Sequence, residues 1–120
     1  MTAAQALRIT AISGFLAVAL GAFGAHGLKD ILLQNGRVAN WETAVLYHLV
    51  HTVVMLFITQ RTPFKACQWW AFFAGILIFS GSLYILALTN MKWLGAITPF
   101  GGVSLLVGWA TLAFQGEKKS

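Results

Sequence analysis

"SGFLAVALGAFGAHGLKD", residues 13–30, is an apolar run studded with glycine and alanine that ends in a histidine, a glycine and a charge pair. Three readings compete for it: a cleavable export signal, a membrane anchor, or the first helix of an integral protein. A signal peptide needs a basic start, a short apolar core and a small-residue cleavage site. Arg8, the run to Phe23 and the small residues before His26 imitate one. However, Gly14, Ala17, Gly21, Ala25 and Leu28 recur on one helical face. Small residues at that spacing let helices approach closely in lipid, a pattern without use in a discarded peptide. The stretch is read as a retained first span.

The rest of the chain agrees with that reading. Its 120 residues are 58% hydrophobic and only 9% charged, whereas soluble domains carry about 25% charged residues. Four segments are long enough to cross a hydrocarbon core of ~30 Å as helices: residues 9–27, 42–60, 67–89 and 93–114. None alternates apolar and polar residues as a barrel strand would. The expected architecture is an all-α integral membrane protein, a compact four-helix bundle with a polar tail at 115–120. The linker at 28–40 has its own pattern, with Leu28, Ile31, Leu32, Asn35 and Val38 on one side and Lys29, Asp30, Gln34 and Arg37 on the other. It predicts a short amphipathic helix in the membrane interface, broken near Gly36. Trp41, Trp69, Trp70 and Trp93 stand near span ends, where indoles are expected at the headgroups.

Charge sets the orientation. Four crossings put both termini on one side, with Arg8, Arg61, Lys65, Lys118 and Lys119, against Lys29, Arg37 and Lys92 on the other. The positive-inside rule then predicts both termini in the cytoplasm. The net charge of +5 lies in loops and tail rather than in a basic stripe that could track phosphates, so nucleic acid is not an expected partner; membrane lipids are. Cys67, the single cysteine, completes no disulfide, redox or zinc motif.

The second span carries the unusual chemistry. His48 shares a stripe with Ala44, His51, Thr52, Met55 and Thr59 at three- and four-residue spacings, and Tyr47 stands one turn before His51. Ionisable side chains inside spans are costly and avoid lipid, so this face is expected to point inward, with at least one histidine bonded to another helix. It is also the candidate ligand or proton-path surface, with His26 and Glu42 as possible outer-end partners. Glu42 is expected in the first turn of its helix, where a carboxylate complements the dipole. No metal centre is expected, because no recognised ligand motif completes the shell. Close helix packing is assigned to Gly14, Gly21, Gly24, Gly75, Gly81, Ser82, Pro99, Gly101, Gly102 and Gly108. Pro99 cannot donate to a helical ladder, which predicts a bend or local unwinding in the fourth span.

Four blocks carry a family resemblance: "GAFGAHGLK" at 21–29, "WETAVLYHLVH" at 41–51, "SGSLY" at 80–84 and "LGAITPFGG" at 94–102. In this order and spacing the chain resembles the bacterial YgdD/YwdK-like inner-membrane family, domain of unknown function 423, related to transmembrane protein 256. The resemblance implies the fold, the membrane location and a retained first span, but no particular reaction. Recurring family positions match Gly21, Gly24, His26, Gly27, Glu42, Tyr47, His48, His51, Ser80, Gly81, Ser82, Tyr84, Thr98, Pro99, Gly101 and Gly102, with Trp41 where the family often has phenylalanine.

No nucleophile–base–acid set, phosphate loop or dinucleotide fingerprint stands in a suitable context, so no catalytic residue or cofactor is assigned. The leading expectation is a structural, accessory or scaffolding membrane protein, self-associating or attached to a larger complex. The alternative is a small transporter, channel or lipid- or ligand-binding protein that uses the polar face of the second span.

Overall fold

The computed structural model describes residues 1–115. The tail expected at 115–120 therefore lies, beyond Gln115, outside the described residues. The elements are α1 (Ala3–Ala25), α2 (Lys29–Asn35), α3 (Val38–Thr59), α4 (Ala66–Thr89), a 3-10 segment (Lys92–Ala96) and α5 (Thr98–Phe114). Among the described residues there is no strand. Four helical stretches are long and apolar enough to cross a membrane, the fourth running through the 3-10 segment and α5.

Each boundary has a local cause. α1 starts earlier than residue 9 because Thr2 and Gln5 form a reciprocal capping box, Thr2 Oγ1 accepting from Gln5 N and Gln5 Oε1 from Thr2 N. Such a box satisfies two amides that a helix start leaves orphaned. α2 ends at Gly36, whose φ of +68° is the left-handed cap that glycine adopts without cost. α3 begins at Val38, one turn before Glu42, so Glu42 is not in the first turn and does not cap it. The break expected around Pro99 occurs at its edge rather than inside a helix. The 3-10 segment ends at Ala96, and Pro99 then sits in the opening turn of α5, where no amide donor is needed.

The long helices zigzag, α1 against α3, α3 against α4 and α4 against α5. Pairings such as Gly21–Val45 beside Ser13–Thr52, and Phe79–Gly101 beside Phe72–Gly108, make the neighbours antiparallel. α1 buries only small residues: Ala6, Thr10, Ser13 and Ala17. α5 buries Gly101, Leu105 and Gly108, one stripe at four- and three-residue spacing. An added Cβ on Gly101 would meet the backbone N and Cα of Phe79, and one on Gly108 would lie 2.8 Å from the Phe72 ring. Gly75 faces Leu105 at 2.5 Å in the same sense, and Gly24 is filled by the Trp41 indole. Other assigned packing positions differ. Gly81 has nothing within 4 Å, Gly102 and Gly14 leave ordinary contact distances of 3.8 and 3.6 Å, and Pro99 is exposed. Ser82 packs through hydrogen bonds, to Phe79 O at 3.0 Å and with Thr98 Oγ1 at 2.6 Å.

Two tryptophans turn inward instead of reaching for headgroups. Trp41 is 3% exposed and donates its indole N–H to Leu20 O at 2.9 Å. Trp69 is fully buried and donates to Thr10 Oγ1 at 2.9 Å. An indole buried with its N–H paired is as stable a solution as one at an interface. Trp70 and Trp93 are exposed. α2 folds against the end of α4, where Asn35 Nδ2 donates to Ala87 O (2.9 Å) and Leu88 O (3.3 Å) and Arg37 Nε to Asn90 Oδ1 (3.0 Å). Carbonyls in the last helical turn have no helical partner, and Asn35 supplies donors for them. Leu32 is buried beneath α2 while Ile31 is exposed, so the inward face of the linker is narrower than its pattern suggests.

Candidate functional site

The buried face of α3 consists of Trp41, Ala44, His48, His51, Thr52, Met55, Ile58 and Thr59. Residues three apart on a helix differ by about 60° around its axis, which is enough to send the two histidines to different neighbours. His48 faces α1 and the outer edge of α4; His51 faces α5. The single polar stripe read along the sequence is two sites back to back.

Around His48, four side chains from three helices form a chain of hydrogen bonds. Thr52 Oγ1 donates to His48 O at 2.7 Å, which uses its only proton. The 2.8 Å contact between Ser13 and Thr52 must then run from Ser13 to Thr52. Ser13 has no proton left for the ring 3.1 Å away, so His48 Nε2–H donates to Ser13 Oγ. In the neutral ring Nδ1 is then the acceptor, and Tyr84 OH donates to it at 2.8 Å. One proton per hydroxyl fixes the direction of every link. Beside this chain, Ser80 Oγ donates to Ala44 O at 2.7 Å. The set floors a groove of about 220 Å³ between α1 and α4, walled by Ile9, Ile12, Leu16, Phe73 and Leu77 and left open at Gly81.

His51 belongs to an aromatic cluster. Its Nδ1 donates to Tyr47 O at 2.8 Å, since a carbonyl only accepts. Its Nε2 accepts from the Trp109 indole N–H at 3.1 Å, since an indole only donates. Those two bonds assign the Nδ1-protonated tautomer. The Tyr47 ring stacks on it with centroids 5.7 Å apart and tilts against Phe79 at 4.6 Å; Phe72 and Trp109 complete the surround. Between α3 and α5 this cluster borders a groove of about 380 Å³, to which Pro99, Gly102, Val103 and Leu106 contribute the far wall.

The remaining candidates do not join either site. His26 is the exposed cap of α1. Glu42 is exposed at the rim of a third groove, about 310 Å³, formed by α1, α2 and α3 over Trp41. Thr52 belongs to the His48 chain. Among the described residues no group of three or more histidine, cysteine, aspartate or glutamate side chains is placed to share a metal ion. Ser13, Tyr84 and Trp109 complete the two sites and were not singled out as partners from the sequence. A serine on the α1 stripe of small residues was the available signal for the first. Nothing in local spacing signals the other two.

Four long apolar helices pinned by buried hydrogen bonds define a polytopic integral membrane protein of the all-α class. The family described as "Protein of unknown function (DUF423)" matches residues 20–102, and the chain belongs to that family. It is 45% identical over 115 residues to a UPF0382 membrane protein of Staphylococcus epidermidis, covering 88% of this chain and 93% of the relative. Bacillus subtilis YwdK, a UPF0382 membrane protein, is 41% identical over 114 residues, covering 90% and 92% of the two chains. The UPF0382 inner membrane protein YgdD of Escherichia coli is 42% identical over 119 residues, covering 93% and 88%. No solved structure matches the chain.

Proposed function

We propose that the chain is a structural or accessory component of the bacterial inner membrane, with both termini cytoplasmic, whose intramembrane histidines fasten helices to one another. One observation carries this reading: all four ring nitrogens of His48 and His51 are paired within the chain. Buried polar groups that are fully satisfied specify a unique packing, whereas a proton relay must exchange partners with water or substrate. The division of the polar residues between two grooves also speaks against a single path along α3. The apolar outer faces, with Phe15, Phe100 and Leu106 among the most exposed side chains, suit lipid contact and leave room for self-association or attachment to a larger complex.

The test separates stability from transport. His48→Gln and His51→Gln each keep a hydrogen-bonding amide but cannot reproduce both ring-nitrogen contacts. The expected result is a lower unfolding midpoint in detergent for both, with no change in proton flux across liposomes. Variants that fold as the parent does but alter pH-driven flux would replace this reading with the transport alternative. Topology is checked by labelling cysteines introduced at Gln34 and Thr62, with Cys67 replaced by serine; the expected result places only Thr62 on the cytoplasmic side.

A further inference from the structure

Gly24, Ala25 and Glu42 belong to motifs that the histidine sites leave unused, and all three line the groove between α1, α2 and α3. Glu42 is the one charged side chain in that lining, and no base stands there to offset it. Nor does its carboxylate cap α3. Across the groove α1 ends without a basic residue in its last turn, although the final carbonyls of a helix carry partial negative charge. Phe23 O accepts from His26 N and Leu28 N, at 3.2 and 2.8 Å, and His26 O accepts from Lys29 N. The carbonyls of Gly24 and Ala25 receive no such bond among the described residues, and a last turn supplies no helical donor for them. The indole N–H of Trp41, the remaining polar group among the lining side chains, is committed to Leu20 O. The groove therefore offers acceptors and negative charge, and no free side-chain donor.

An apolar trough leads away from the carboxylate. Val45, Leu46 and Leu49 follow Glu42 along the α3 wall, a run of about 10 Å at 1.5 Å per residue. Gly21 keeps the facing wall low, since an added Cβ would stand 3.3 Å from Val45 Cγ1. Glu42 is the fifth of the 22 residues of α3. That helix is about 33 Å long against a hydrocarbon core of ~30 Å, so its first turns reach a membrane boundary whichever way the chain is oriented. Charged rim and apolar trough run in the order of a lipid's head and tail.

From these features we infer that the groove between α1, α2 and α3 binds a phospholipid with a primary ammonium headgroup, of the phosphatidylethanolamine kind. The ammonium pairs with the Glu42 carboxylate, and its further N–H groups match the carbonyls of Gly24 and Ala25. One acyl chain lies along Val45, Leu46 and Leu49. A trimethylated ammonium keeps the charge but has no N–H to give. A headgroup of phosphate and hydroxyls brings like charge to the carboxylate, and a carbonyl ligand finds no donor. Charge-assisted hydrogen bonds are the strong ones, so the head rather than the tail sets the selectivity. The site uses neither histidine, and its failure would leave the helix-fastening role standing.

The experiment uses the full chain in dodecylmaltoside micelles. The probe is phosphatidylethanolamine with a diazirine on one acyl chain, and cross-linked peptides are mapped by mass spectrometry. Expected are saturable labelling on the α1 and α3 walls of the groove and competition by unlabelled phosphatidylethanolamine. Phosphatidylcholine and phosphatidylglycerol with the same acyl chains should compete about tenfold more weakly, the worth of one charge-assisted hydrogen bond. Glu42→Gln, an exposed and nearly isosteric change, should weaken labelling by a similar factor and leave the unfolding midpoint unchanged. Asp30→Asn removes an exposed carboxylate that does not line the groove and should change nothing. Absence of saturable labelling on those walls would overturn the inference, as would equal competition by all three headgroups. Parent-like labelling of Glu42→Gln would do the same, and so would an equal loss in Asp30→Asn, which would reduce the effect to general surface charge. Free ethanolamine should not compete. If it competes as well as the lipid, the ammonium alone suffices, as a lysine of a partner protein would supply it, and the lipid assignment falls. The headgroup comparison uses the parent chain and decides the matter whether or not either variant folds.

Discussion

Replacing Gly101 and Gly102 separately with alanine tests the packing of α4 on α5 with two neighbouring residues of one helix. Glycine inside a helix is less favourable than alanine by roughly 0.5–1 kcal/mol, and both substitutions gain that term. Their surroundings differ. The new methyl at position 102 finds Phe79 Cδ1 at an ordinary 3.8 Å, so Gly102→Ala should stabilise by about that propensity gain. At 101 it would meet Phe79 N and Cα, with Phe79 Cβ at 2.8 Å. Those backbone atoms cannot swing aside as a side-chain end can. α5 would have to shift, and the shift would disturb the Gly75–Leu105 and Phe72–Gly108 contacts that share the seam. Overpacking of a close-packed core costs about 1–3 kcal/mol. The propensity term cancels between the two variants, so Gly101→Ala should be less stable than Gly102→Ala by about 1–3 kcal/mol. Reversible unfolding in mixed micelles, followed by far-ultraviolet circular dichroism, measures the difference. Equal stabilities, or a more stable Gly101→Ala, would refute the backbone contact and with it the assigned seam.

Other expectations follow from single bonds. Tyr84→Phe leaves His48 Nδ1 without its donor and should lower stability by about 0.5–1.5 kcal/mol. Combined with Ser13→Ala, its effect should be non-additive, because both residues act on one ring; a double-mutant cycle reads the coupling. Trp41→Phe removes the bond to Leu20 O while retaining most of the ring, and a loss of about 1 kcal/mol is expected in the same unfolding assay. Asn35→Ala should free the carbonyls of Ala87 and Leu88 and speed amide exchange in the last turn of α4 and in α2 more than in α3. Uniform exchange across all helices would show that α2 does not hold that end.

The inward face of α3 was readable because its polar residues stand at helical spacing in an apolar run, and hydrocarbon penalises them anywhere else. His48, His51, Thr52, Met55 and Thr59 are all buried accordingly. Partner identity was not readable, since Tyr84 and Trp109 approach from helices 36 and 58 residues further along the chain. Glu42 misled because helix starts are set by neighbouring turns: α3 already begins at Val38, directly after the left-handed Gly36 and Arg37.

Composition and periodicity by themselves determined four long apolar helices, a short amphipathic one between the first two, and which stripe of α3 turns inward. These properties depend on a residue's own solvation and on its angle around its own helix, and both are local. Tertiary structure alone decided that His48 and His51 serve different grooves, that Trp41 and Trp69 find hydrogen bonds inside rather than at headgroups, and that Gly101 rather than Gly102 lets α5 touch α4. Each depends on where a second helix places one atom: the Leu20 carbonyl, the Thr10 hydroxyl or the Phe79 backbone. A shift of about 1 Å in that helix changes which residue makes the contact, and helical periodicity, which repeats every 3.6 residues, carries no information about such a shift.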